Sequence, residues 1–127
     1  MKNLDLLSEL LETSATACEK FLKSEIALND GEVELCQKYS KDGQQLIKTL
    51  INDTFEEFKE EFNIELSDVL DYDYPNNMEL VVALNSLSIN VGALLSCEDE
   101  KIQAMYLEKL AKSINTIKEI YISLFEN

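Results

Sequence analysis

Residues 4–28, LDLLSELLETSATACEKFLKSEIAL, set Leu4, Leu7, Leu11, Cys18, Leu22 and Leu28 close to a 3.5 to 3.6 residue period, with Leu10, Ala17 and Phe21 widening the stripe. That spacing predicts one long amphipathic helix over about residues 3–28, roughly 39 Å at about 1.5 Å per residue. Asn29-Asp30-Gly31 then supplies a helix stop, and Glu32 and Glu34 place negative charge where a new helix dipole favours it. A helical hairpin is the simplest consequence, and it decides the fold class because the rest of the chain repeats the pattern.

The second helix is expected over 31–62. Cys36, Tyr39, Leu46 and Leu50 mark its apolar side, and Phe55, Phe58 and Phe62 continue at helical spacing. Two places could break it: Asp42-Gly43, a pair that also makes turns, and Asn52-Asp53, where Asp53 could cap a new helix with Glu56 three residues on. Asp71-Tyr72-Asp73-Tyr74-Pro75 ends the pattern, leaving a longer connection over 63–76 with room for one short extra helix. Asn76 and Glu79 form a cap signature for a third helix over 77–96. Ser96 with Glu98, Asp99 and Glu100 reads as the cap and acidic first turn of a fourth over 97–126, striped by Ile102, Tyr106, Leu110, Ile114, Ile117, Tyr121 and Leu124. Three glycines and one proline in 127 residues leave few tight turns for a sheet, so the expectation is all-α: an antiparallel four-helix bundle forming a single domain over 1–127.

Leu80 to Cys97 contains no charged residue. A membrane span would account for that, but Asn85, Ser86, Ser88, Asn90 and Ser96 interrupt the run and no basic residues flank it, so a helix covered on most sides by its neighbours is the reading adopted. Ser88, Gly92 and Ser96 recur every four residues and would let another helix, from the same chain or a second copy, approach closely.

The absent residue types narrow the chemistry. All 11 basic residues are lysines, and the chain has no histidine, arginine or tryptophan. Without imidazole there is no side chain that titrates near neutrality, no Ser-His or Cys-His pair, and no Glu-x-x-His di-metal site of the kind helical bundles build. Without guanidinium there is no bidentate clamp for phosphate. Glycine-rich phosphate loops and EF-hand loops are missing as well. Cys18, Cys36 and Cys97 are odd in number, widely spaced and free of zinc spacing, which suits reduced thiols on helical apolar positions of a cytoplasmic protein. No enzyme, cofactor or metal site is expected.

Twenty-five acidic residues give a net charge of −14 and an expectation of no direct binding to nucleic acid or to an anionic membrane. The charge is uneven: residues 1–51 carry −3, residues 80–127 carry −2, and residues 52–79 carry −9. In that middle segment Asp53, Glu56, Glu57, Glu60, Glu61, Asp71 and Asp73 are interleaved with phenylalanines and with Tyr72 and Tyr74. Four of these glutamates could in principle gather a hard cation, but oxygen ligands must converge and neighbouring acids on a helix ordinarily form a solvated face. Acidic residues around loop tyrosines suit a Lys- or Arg-rich protein, through steering and cation–π contact. The chain is therefore expected to be a non-enzymatic inhibitor or immunity-type module, or a nucleic-acid mimic, that covers a basic partner such as a toxin or a nucleic-acid-binding protein. The alternative is a helical scaffold or chaperone-like subunit that binds a partner, or itself as a homodimer, through apolar helix faces.

Overall fold

The computed structural model describes residues 4–63 and 76–126. Helix α1 spans Leu4–Asn29, α2 spans Val33–Thr49, α3 spans Phe55–Phe62, α4 spans Asn77–Ser96 and α5 spans Glu100–Phe125; a π-helical turn, Leu50–Thr54, joins α2 to α3. Because the residues at both junctions keep right-handed helical angles, α2, the π turn and α3 form one continuous rod. The chain is an all-α four-helix bundle with no strand among the described residues.

Local chemistry accounts for the ends. Gly31, at φ +76°, closes α1: its N–H reaches Leu28 O at 3.1 Å and Glu32 N–H reaches Ala27 O at 2.9 Å, so the last carbonyls of the helix are satisfied. Asn76 caps α4 as expected, its side-chain oxygen accepting from Glu79 N–H at 3.0 Å. At α5 the cap is Asp99, which accepts from Lys101 N–H at 2.9 Å, whereas Ser96 remains the last residue of α4 and donates back to Gly92 O. The fourth helix thus starts at residue 100 rather than 97, because a carboxylate one residue before the first helical N–H groups reaches them and Ser96 does not.

Asp42-Gly43 does not break the second helix. Gly43 is buried, and a Cβ built there would stand 2.7 Å from the Phe21 ring, so glycine serves close packing of α2 on α1 rather than a turn. The irregularity falls at Asn52-Asp53, inside the π turn. Its cause lies in the side chains that must stay buried: Leu50, Thr54 and Phe58 recur every four residues, which outruns the 3.6-residue α turn, and one widened turn keeps all three on the core. A π turn of this kind behaves as a single-residue insertion absorbed locally. Deleting Asn52, which is exposed, should therefore return the rod to regular α-helix with Phe55 and Phe58 still inward, leaving the melting temperature near the parent's. A collapse of the thermal transition would show that the π turn holds the core in register by some other means.

The neighbours run antiparallel. Ser24 Oγ donates to Cys36 O at 2.9 Å and Phe21 lies against Gly43, pairing α1 with α2. Ser14 and Ser88 hydroxyls meet at 2.9 Å and the Cys18 thiol donates to Val81 O at 3.5 Å, pairing α1 with α4. Gln103 donates to Cys97 O at 2.6 Å where α4 turns into α5, and Phe125 near the end of α5 stacks on Phe21 at 6.1 Å between ring centres. Helices α1 and α5 hence point one way, the α2–α3 rod and α4 the other. Phe62 and Asn77 lie toward opposite ends of the bundle.

The core gathers Leu7, Leu10, Phe21, Ile47, Leu50, Phe55, Phe58, Leu84, Leu87, Leu110, Ile114 and Ile117. On α1 the buried face is rotated from the expected stripe. Leu6, Leu7, Leu10, Ser14, Ala17, Phe21, Ser24 and Ala27 point inward, while Leu4, Leu22 and Leu28 remain 54, 43 and 51% exposed. The small residues explain this: the serine and alanine positions admit two neighbours closely, and each serine hydroxyl finds a partner across the contact.

All three cysteines are free and partly buried, and burial pushes the Cys18 thiol up, keeping it a protonated donor. Cys97 stands in the α4–α5 link rather than on a helical stripe. Adding reductant is expected to leave the melting temperature unchanged, and a lowered value would reveal a disulfide.

Candidate functional site

The acidic face is built by α3 and the π turn. Phe55 and Phe58 turn inward, Phe62 packs on Phe58 at 4.9 Å between ring centres, and this anchoring leaves Asp53, Glu56, Glu57, Glu60 and Glu61 exposed. With spacings of one and four residues, the carboxylates form two adjacent rows along the outer side. Asn63, in the left-handed region at φ 50°, ends the helix just beyond them. Glu60 and Glu61 therefore occupy the last turn of the rod, where the partial negative charge of unpaired carbonyls adds to their own. Lys59 is the one cation on α3, and it makes no ion pair among the described residues; the ion pair present, Lys23 with Glu19 at 2.8 Å, is on α1, where the lysine's hydrogen bond holds the glutamate below its ordinary range. Asp71, Tyr72, Asp73 and Tyr74 lie outside the described residues, so the aromatic part of the expected site is not placed.

The small residues of α4 divide. Ser88 is at a helix contact, bonded to Ser14 and to Leu84 O. Gly92 meets nothing within 4 Å of where a Cβ would stand, and Ser96 is exposed, so none of the described helices packs closely on those two. Helix α4 is long and apolar enough to cross a membrane, and most of it is covered by its neighbours, but Met78, Val82 and Ile89 lie along one side that is open to solvent.

A groove of about 570 Å³ between the first half of α4 and the second half of α5 escaped the sequence reading. Met78, Val82, Ala83 and Ile120 form its apolar part, and Glu79 and Lys112 stand on opposite walls. Glu79 Oε2 is buried without a hydrogen-bond donor; Asn76 accepts from the Glu79 N–H, but the reciprocal bond from Asn76 N–H is not made. No spacing rule could have found this groove, since it depends on how two helices splay. Among the described residues no three His, Cys, Asp or Glu side chains converge to hold a metal ion.

No family model matches the chain, and neither a curated protein nor a solved structure shows significant similarity to it. The class that the fold and surface define is that of a strongly acidic, all-helical bundle with one carboxylate-lined helix face.

Proposed function

We propose that this chain is a non-enzymatic protein-binding module that covers a basic surface of another protein, in the manner of an inhibitor, an immunity protein or a nucleic-acid mimic. The observation that carries this reading is the α3 face: five exposed carboxylates, no ion pair with a described cation, and the negative end of a helix beneath two of them. Such a face is under self-repulsion when the protein is alone, and a Lys- or Arg-rich surface relieves it while gaining charge-assisted contacts. The net charge of −14 extends the attraction beyond contact distance and opposes direct binding to nucleic acid. The chain works in the cytoplasm, a compartment in keeping with its three free thiols.

The test is capture from the native cell on the immobilised chain, followed by kinetics with the purified captured protein. A basic protein whose association slows steeply with added salt, and which is no longer captured when Glu57, Glu60 and Glu61 are reversed to lysine, supports the reading. Capture that ignores both salt and the reversal sinks it. A second reading, docking through an apolar face, is favoured by the exposed side chains of α4.

A further inference from the structure

We propose that the outward face of α4 is a self-association seam on which a second copy of this chain docks with its own α4. The argument begins with spacing. Met78, Val82, Asn85, Ile89, Gly92 and Ser96 follow one another at intervals of four, three, four, three and four residues, the heptad rhythm of a helix that seats another helix along its length. Buried core positions of a bundle often show this rhythm. Here it lies on the outside: Met78, Val82 and Ile89 are 45, 65 and 62% exposed, Asn85 and Ser96 are exposed, and open space lies over Gly92.

Charge selects the occupant. On a molecule of −14, two copies repel wherever their acidic surfaces meet, but no residue from Leu80 to Cys97 is charged, so the seam is where identical copies can touch without opposing like charges. The same neutrality leaves a basic partner nothing to recognise there, and that partner is drawn to α3 instead. Lipid is the poorer occupant, because α4 is held between α1 and α5 by polar contacts at Ser88 and Cys97 and its ends carry Glu79 and Glu98. Val82 and Ile89 fall seven residues apart at equivalent heptad positions, so both apolar side chains meet the facing helix along one line. Gly92 gives the facing helix room to come close.

Sedimentation equilibrium of the full chain from about 1 µM to about 1 mM tests this. The parent should shift toward twice its monomer mass as concentration rises, and added salt should preserve or strengthen the dimer, the reverse of the salt response expected on α3. Val82→Glu with Ile89→Glu should hold the chain monomeric over the whole range, with unchanged helicity, since both side chains are already in water. The milder pair Val82→Thr, which keeps the shape and adds a hydroxyl, and Ile89→Thr, which keeps the β-branch but is one heavy atom smaller, should raise the dissociation constant at least about tenfold, giving a readout that does not depend on the glutamates being tolerated. A parent that stays monomeric throughout, or variants that dimerise as well as the parent, would overturn the proposal. Uptake of the parent, but not of the glutamate pair, by phosphatidylcholine vesicles in place of dimerisation would also overturn it and assign the face to lipid.

Discussion

Replacing Gly43 with leucine is expected to cost the fold about 3 kcal/mol or more, and Gly43→Ala about 1 to 2 kcal/mol, even though alanine is the better helix former by about 1 kcal/mol. The first carbon of any side chain at this position would stand 2.7 to 2.9 Å from three ring atoms of Phe21. That ring cannot swing aside cheaply: it is fully buried, with Phe125 stacked on it at 6.1 Å. Relief must come from moving α2 away from α1, which opens the core along both helices. Gly92→Ala makes the matched control. Nothing lies within 4 Å of its added methyl, so it should gain about 0.5 to 1 kcal/mol from helix propensity in dilute, monomeric solution. Urea unfolding midpoints that move in opposite directions for the two alanine variants would bear this out; a neutral or stabilising Gly43→Ala would show the α1–α2 contact to be looser than its geometry states.

Reversing Glu57, Glu60 and Glu61 to lysine should reduce the association rate with the basic partner by about tenfold to a thousandfold at low salt, while the folded state is kept. All three side chains are exposed, so no core contact is lost, and the net charge moves from −14 to −8. Lysines at 60 and 61 also exchange an unfavourable charge for a favourable one at the negative end of the rod, which should raise stability slightly. The difference between parent and variant should shrink as salt rises, because screening removes the steering that the variant has already lost. Rates that coincide at every salt concentration would reduce the acidic face to a solubilising surface.

Much of the fold was legible in residue order. The helix over residues 3–28, the stop at Asn29-Asp30-Gly31 and the Asn76 cap depend on interactions within about one turn, and they fall where the spacing predicts. The acidic face was legible for a similar reason, since any helix that buries Phe55 and Phe58 must turn Glu56, Glu57, Glu60 and Glu61 outward. The rest depended on partners distant in sequence. Leu4, Leu22 and Leu28 are as apolar as Leu7 and Leu10, yet they stay outside, because α2 and α4 approach α1 along its serines and alanines.

Gly43 and Gly92 show the division most directly. By composition and local pattern, each is a glycine inside a helical run, and no rule of spacing separates them. One lies against a buried ring and the other under open space. Residue order by itself determined that this protein is helical, where most of its helices begin and end, and which segment holds its negative charge, because hydrogen bonds, caps and side-chain periodicity act over a few residues. Only the tertiary structure decided which side of each helix is buried, that the second helix absorbs a π turn instead of breaking, and that α4 keeps an apolar side in water. Those outcomes depend on how closely whole helices approach one another, and that distance is set jointly by side chains that are far apart in the chain.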